Sequence, residues 1–220
     1  MNTTRTRNLR RGAAAALTSA LLAAQTAGAG IVIKADNDHP LNLGSSWVGG
    51  TAPETNDIAR WASALSFRTY NLGADLAWLG MDIAADPGGN LTFNAGNTLT
   101  LGAEGIVSTP NRTITLNNAL LLGANQTWNV ASGTFIPQGG LEMDGRTLTL
   151  TGGATKQFKC PVTGSGTIVT TQGALKFSNQ GNLPSDVDLL FKDSGSFTVD
   201  KDVVAGANRV LARSMTFLDG

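Results

Sequence analysis

The chain has 220 residues, in which 16 lysines and arginines balance 16 aspartates and glutamates. Charged residues make up 15% of the chain, against roughly 25% in ordinary soluble domains, and the 27 glycines exceed their usual share of about 7%. With 26 threonines and 17 asparagines, this composition excludes long ion-paired helices and is typical of strands and turns. Zero net charge excludes a basic surface for nucleic acid, and one cysteine excludes an intrachain disulfide.

Residues 1–29 have the pattern of a secretory signal peptide. The positive start comes from four arginines, Arg5, Arg7, Arg10 and Arg11. The apolar stretch Gly12–Ala24 is shorter than the about 20 residues that span a bilayer, and Ala27–Ala29 offers small residues for cleavage. We therefore expect a signal-peptide helix that is removed on export, with an uncleaved anchor or a buried helix as alternatives. The mature chain would then be mildly acidic and have no membrane span.

Residues 34–67 are a loop-like stretch that differs from the regular pattern downstream. They contain Trp47 and Trp61 among several Asp and Pro residues. An exposed strand edge at the start of a stack of strands must be covered, because it would otherwise pair with other chains. We interpret residues 30–67 as an N-terminal cap with both tryptophans laid over the core. The alternative, a carbohydrate-binding module, predicts that Trp47 and Trp61 are exposed and coplanar.

Residues 68–220 alternate apolar and polar side chains over four to six positions, and no helical periodicity is sustained. Such alternation predicts half-buried strands. The clearest examples are Leu91–Phe93, Leu99–Leu101, Thr113–Leu116, Leu148–Leu150, Thr167–Val169 and Leu175–Phe177. Turns are predicted between them, at Asn94–Asn97, Ala131–Gly133, Asp144–Arg146 and Gly164–Gly166.

The phrase Leu-Gly-Ala recurs at Leu72–Ala74, Leu101–Ala103 and Leu122–Ala124, and Thr-Leu-Thr-Leu occurs at both 98–101 and 147–150. Short strands that recur every 20 to 30 residues predict a β-solenoid, in which each coil buries its apolar face against its neighbours. A β-sandwich is the alternative, since it also has short strands separated by turns. The repeated Leu-Gly-Ala and Thr-Leu-Thr-Leu phrases favour the solenoid.

Candidate chemical groups are few. His39 is the only histidine and lacks a partner for a metal site or a catalytic triad. The i, i+2 carboxylate pairs Asp36/Asp38, Asp186/Asp188 and Asp200/Asp202 could hold Ca²⁺ or act as acid and base. In turns, however, carboxylates more often cap the backbone. We therefore nominate no catalytic, cofactor-binding or metal-binding residue.

Two further residue types have structural interpretations. Alternation places Phe158 and Cys160 on one face, so Cys160 is expected to be a buried small apolar residue, with an intermolecular disulfide as the alternative. Asn90, Asn111 and Asn125 match the glycosylation pattern, but asparagines at corners are better explained by hydrogen bonds from coil to coil.

The segment Leu43–Pro53, with its W-x-G-G-x-x-P pattern, then Asn56–Trp61, Asn94–Gly102 and Gln126–Val130 resemble bacterial autotransporter-associated β-strand repeat proteins. The resemblance covers roughly residues 41–150. It implies a right-handed parallel β-helix passenger, displayed or released outside the cell, with adhesive or structural roles. It transfers no catalytic residue.

These observations predict an all-β chain with three parts: a signal peptide at 1–29, a cap at 30–67 and solenoid repeats at 68–220 that are truncated at the C-terminus. The expected function is a non-enzymatic structural or adhesive module at the bacterial cell surface, exported via the periplasm. Surface glycans or other cell-surface proteins are its expected partners. The main alternative is a polysaccharide-active lyase or hydrolase with its site at Asp186, Asp188, Asp200 and Asp202.

Overall fold

The computed structural model describes residues 29–178, 186–199 and 213–218. These residues form nineteen short strands and one 3-10 turn at Gly44–Ser46, with no α-helix among them. The strands are β1 Gly30–Ile33, β2 Asp57–Trp61, β3 Thr69–Tyr70, β4 Leu76–Ile83, β5 Leu91–Phe93, β6 Thr98–Ser108, β7 Thr113–Leu116, β8 Ala119–Leu122, β9 Gln126–Val130, β10 Thr134–Pro137, β11 Leu141–Glu142, β12 Thr147–Thr151, β13 Thr155–Phe158, β14 Val162–Thr163, β15 Gly166–Thr170, β16 Ala174–Phe177, β17 Val187–Phe191, β18 Ser196–Val199 and β19 Ser214–Phe217.

Every strand-to-strand pairing in the described residues is parallel and joins one coil to the next. The result is a β-solenoid of about six turns. The register shows the coil length: Leu148 pairs with Gln126, a separation of 22 residues. A sandwich of antiparallel sheets is therefore excluded, and the all-β solenoid prediction is confirmed.

Two sheets form the walls of the solenoid. A seven-stranded sheet contains β3, β5, β7, β10, β13, β16 and β18. A twelve-stranded sheet has a long branch, which includes β1, β2, β9, β12, β15, β17 and β19, and a short branch of β8, β11 and β14. Strand β6 belongs to both branches, because it pairs with β8 through Thr98–Leu101 and with β9 through Ile106–Ser108. Strand β4 precedes both branches, because it pairs with both parts of β6.

The predicted strands are confirmed at all the positions named from alternation, since each segment lies within one strand. The predicted turns fall between consecutive strands, except that Gly166 is already the first residue of β15. Alternating burial follows the alternating sequence, as in the β12 strand, where Leu148 and Leu150 are buried and the threonines between and beside them are half-buried. The physical reason is the two-residue period of side chains on a strand.

The repeated phrases, in contrast, do not all align in the structure. Leu101 pairs with Leu122 one coil later, but Trp78 rather than Leu72 occupies the corresponding position one coil earlier. The two Thr-Leu-Thr-Leu segments lie on different branches, since 98–101 pairs with β8 whereas 147–150 pairs with β9 and β15. Among the repeated phrases, the copies at Leu101 and Leu122 therefore occupy equivalent positions in successive coils, and the others share only the order of a strand and a corner.

The N-terminal region contains more regular structure than the sequence indicated. The segment between residues 34 and 67 includes β2, which pairs with both β1 and β4 in the long branch. An antiparallel bridge between Lys34 and Trp47 joins the intervening loop to the end of β1. The predicted boundary of the cap at residue 67 stays a prediction. The predicted signal peptide, apart from Ala29, lies outside the described residues.

Two glycines test how closely the coils approach each other. Gly133 and Gly145 both have left-handed backbones, with φ of +81° and +74°. A Cβ at Gly133 would lie 2.2 Å from the carbonyl oxygen of Arg112, whereas a Cβ at Gly145 would have nothing within 4 Å. The two positions therefore separate backbone strain from steric conflict between coils.

We expect Gly145→Ala to lower the free energy of unfolding by about 1–2 kcal/mol, the cost of a left-handed alanine. Gly133→Ala should cost about 3–4 kcal/mol, because the coils must also move apart. Urea unfolding of both variants measures the difference. Equal losses would show that neighbouring coils do not meet at Gly133.

Candidate functional site

The outer surface of the solenoid carries short rows of threonine, two or three residues long, with one residue from each of the neighbouring coils. On the seven-stranded sheet, Thr113, Thr134 and Thr155 are in register in β7, β10 and β13. On the long branch, Thr127 is in register with Thr149, and Thr147 with Thr167. Parallel strands lie about 4.8 Å apart, so each row presents hydroxyl groups at that spacing. The outer face is therefore a repetitive surface of polar groups.

A shallow polar groove lies on the long branch, where β6, β9 and β12 meet. Its volume is about 350 Å³, and its lining residues are Ala103, Asn125, Gln126, Thr127, Thr147 and Thr149. The side chain of Gln126 is already occupied, since its Nε2 donates to the Leu101 carbonyl at 2.8 Å and its Oε1 accepts from Trp128 Nε1 at 2.9 Å. The threonine hydroxyls have no hydrogen-bond partner among the described residues. They are thus available to a ligand.

Asparagine and aspartate side chains at the corners bridge successive coils. Asn94 Nδ2 donates to Asn71 Oδ1 at 2.9 Å, so one step of the predicted asparagine ladder is confirmed. At other corners the side chain instead accepts from a backbone N–H of the next coil: Asn90 from Thr113 at 3.0 Å and Asn125 from Thr147 at 2.9 Å. Two of the asparagines in glycosylation patterns are therefore engaged in holding coils together.

The Asp36/Asp38 pair does not converge on a shared site. Asp36 accepts hydrogen bonds from the backbone N–H of Ser66 at 2.7 Å and from its hydroxyl at 2.9 Å, and these bonds lower the pKa of the Asp36 carboxyl. Asp36 thus fastens the loop after β1 to the segment before β3. Asp38 is exposed and accepts no hydrogen bond from a described residue.

The structure engages Asp188 in an ion pair. Arg213 donates to it from Nε at 2.9 Å and also from Nη2, and the Ser214 hydroxyl donates at 2.6 Å. These hydrogen bonds, with Arg213 contributing most, lower the pKa of Asp188 to about 2. Asp186 is exposed, and Asp200 and Asp202 lie outside the described residues. Asp188 therefore joins β17 to β19. In the same way, Asp82 joins β4 to β2, since its Oδ2 lies 2.8 Å from Arg60 Nε.

Within the described ranges, no cluster of three or more His, Cys, Asp and Glu side chains could hold a metal ion. His39 is exposed, and its Nδ1 lies 3.0 Å from the Ser45 hydroxyl oxygen. The expectation of no catalytic, cofactor-binding or metal-binding residue stays a prediction.

The tryptophans belong to the core, not to a binding platform. Trp47 is 2% exposed and Trp61 is fully buried. Their ring planes are inclined at 74°, with centroids 5.9 Å apart. Trp61 also contacts Phe93 edge-on, at a centroid distance of 5.4 Å. The alternative of a sugar platform on these two tryptophans is wrong, because their rings pack against one another and face the interior.

Cys160 is fully buried beside Phe158, as alternation predicted. Burial raises the pKa of its thiol to about 11, so the thiolate is disfavoured. An intermolecular disulfide at this position would require the coil to open.

Sequence reasoning missed two buried lysines. Lys34 is 2% exposed, and its Nζ donates to the carbonyls of Ala35 at 2.7 Å and Asn37 at 2.9 Å. Lys156 is fully buried, and its Nζ donates to the carbonyls of Gly152 at 2.5 Å and Gln172 at 3.3 Å. Desolvation lowers the pKa of each to about 8. For Lys156 the signal was available, because it has the same strand parity as Phe158 and Cys160.

The fold places the chain in the class of parallel β-solenoids. A scan against protein-family models found no match, and searches of curated proteins and of solved structures found none either. The structure thus supports the repetitive solenoid, and the finer resemblance to autotransporter-associated proteins stays an expectation. In the part of the chain that the structure describes, no helix is long and apolar enough to cross a membrane.

Proposed function

We propose that this chain is an exported, non-enzymatic β-solenoid that serves as a structural or adhesive module at the cell surface. The observation that carries this proposal is the outer face of the long branch, where threonine hydroxyls are in register between coils and a polar groove lies at Asn125, Thr127, Thr147 and Thr149. Many weak contacts made at regular spacing give a bound state whose avidity exceeds that of any one contact.

Export is supported by the signal-like pattern of residues 1–29. Fractionation and protease treatment of intact cells that produce the full chain test it. We expect the protein outside the cytoplasm and accessible to added protease. Recovery of the whole pool from the cytoplasm would contradict the proposal.

The adhesive role predicts that the hydroxyl groups of the groove contribute to surface binding. Replacing Thr127, Thr147 and Thr149 together with valine should weaken binding to cells of the native producer about tenfold, because three hydrogen bonds of about 0.5 kcal/mol each are lost. Valine keeps the branched shape and the strand preference. Binding isotherms of labelled protein on intact cells provide the measurement.

The matched control removes three hydroxyl groups from the seven-stranded sheet, by replacing Thr113, Thr134 and Thr155 with valine. It should bind cells like the unmodified protein. Equal binding by the groove variant would remove the groove from the proposal. Release of reducing ends from extracellular polysaccharide by the purified chain would contradict its non-enzymatic character.

A further inference from the structure

A second concave site lies at the start of the seven-stranded sheet. Its volume is about 480 Å³, and its lining residues are Asp38, Ser66, Phe67, Arg68, Thr69 and Asn90. We call it the Phe67 pocket. From its chemistry we infer that the Phe67 pocket binds a neutral pyranose unit of a surface glycan.

Phe67 supplies an apolar surface in the pocket. Its side chain is 45% exposed, and its ring makes no aromatic contact among the described residues. The backbone around it is fixed on both sides: its N–H donates to Asp36 at 3.4 Å, and its carbonyl accepts a hydrogen bond from the buried Tyr70 hydroxyl. An exposed aromatic ring on a fixed backbone is preorganised to receive the apolar face of a ligand.

Polar groups surround this ring. The Arg68 guanidinium is oriented by its Nη1, which donates to the Leu65 carbonyl at 2.5 Å. Gly89 leaves room for it, since a Cβ there would lie 2.7 Å from Arg68 Nε. Asn90 uses its Oδ1 to accept from Thr113, while its Nδ2 has no acceptor among the described residues. The Asp38 carboxylate is likewise without a described donor.

This combination fits a polyhydroxylated ring better than an ion. A carboxylate accepts from hydroxyl groups, whereas a guanidinium and an amide donate to them. The formal charges of Asp38 and Arg68 cancel, and so do those of Lys34 and Asp36 next to the pocket. A pocket with an apolar face, convergent polar groups and no net charge selects a neutral sugar over a phosphate or a uronic acid.

The inference deepens the proposed function and rests on it, because glycan contact would be one means of adhesion. The test titrates the isotopically labelled full-length chain with methyl glycosides of glucose, mannose and galactose, to about 50 mM each, and follows backbone amide shifts. We expect saturable shifts at residues 66–69 with a Kd of about 1 mM for at least one glycoside. No saturable shift with any of the three would overturn the inference.

Variants assign the binding to the pocket. Phe67→Ala should weaken it about tenfold, and Asp38→Asn should weaken it severalfold by removing one acceptor charge. Phe217→Ala is the matched control, because Phe217 is also exposed but lies in β19. Unchanged affinity in Phe67→Ala would overturn the inference. Tighter binding of methyl galacturonoside, a uronic acid, than of the neutral glycosides would also overturn it.

The two proposals fail in distinguishable ways. Suppose that the unmodified chain and Phe67→Ala bind intact cells equally, and that added sugar shifts the amide signals of neither protein. The pocket inference then fails while the adhesive role stands. If sugars bind in the Phe67 pocket but the chain does not bind cells, the adhesive role fails while the pocket inference stands.

Discussion

Replacing Trp61 with alanine is expected to lower the free energy of unfolding of the first coils by about 3–5 kcal/mol. Trp61 is fully buried and contacts Trp47, Tyr70, Trp78 and Phe93 at centroid distances of 5.9, 6.0, 6.4 and 5.4 Å. Alanine would leave a cavity that four other rings cannot fill without losing contacts of their own. Chemical denaturation monitored by near-ultraviolet circular dichroism measures the loss.

The effect should be local. In a solenoid each coil contacts only its neighbours, so the loss should fall mainly on strands β2 to β5. Amide hydrogen exchange should accelerate in those strands and remain unchanged in β12 to β16. Val48→Ala is the control, because Val48 is 61% exposed and should change neither measurement. Uniformly faster exchange along the whole chain would mean that the coils unfold as one cooperative unit.

Replacing Lys156 with methionine is expected to stabilise the protein by about 2 kcal/mol at pH 7. Lys156 points inward between Phe135 and Leu175, in a column of apolar residues. Its ammonium group has only backbone carbonyls as partners in the described structure, and desolvation lowers its pKa to about 8. Methionine fills a similar volume without a charge, and a pKa difference of one unit corresponds to about 1.4 kcal/mol.

The same substitution should change the pH dependence of stability. The folded-state pKa of about 8 lies below the ordinary lysine value of 10.5, so between these two pH values the unfolded state binds more protons. Stability of the unmodified protein should therefore rise with pH, and Lys156 should contribute about 1 kcal/mol of that rise between pH 7 and 9. Lys34, whose pKa is also lowered to about 8, should contribute a similar rise that remains in the variant.

Urea unfolding between pH 7 and 9 checks this expectation. Near the upper limit Cys160 acts in the opposite sense, because burial raises the pKa of its thiol above the ordinary 9.0 and the unfolded thiol therefore loses its proton first. Both proteins carry Cys160, so the difference between them reports Lys156. Lys192→Met is the control, since Lys192 is exposed and its replacement should leave the stability at pH 7 unchanged. A Lys156→Met variant less stable than the unmodified protein would show that the buried ammonium stabilises the coil.

Much of the local structure could be predicted from residue order. Strands such as β7 and β12 followed from alternation, and the corners followed from Gly and Asn residues that tolerate positive φ or bond to the neighbouring coil. Burial of Cys160 and Phe158 followed from the same two-residue period. These predictions were confirmed because side chains on a strand alternate between its two faces, so residue order within the strand fixes which of them share a face.

The candidate binding surfaces were less accessible to sequence reasoning. Trp47 and Trp61 were expected to cover the core from a cap, and the structure buries both within the core. Phe67, which the structure leaves exposed, had no distinguishing signal in the sequence. The polar groove joins Ala103 to residues about 20 and 40 positions later. Such a neighbourhood depends on how coils are stacked, which alternation does not report.

By itself, the amino-acid sequence determined the strand class and the strand and corner positions, because these depend on backbone preferences and side-chain period within a few residues. Only the tertiary structure decided the register between coils, the shared strands β4 and β6, and the enclosure of Lys34. The reason is that hydrogen bonds between parallel coils are chemically alike at every register. The choice among registers is made by which side chains fill the interior together.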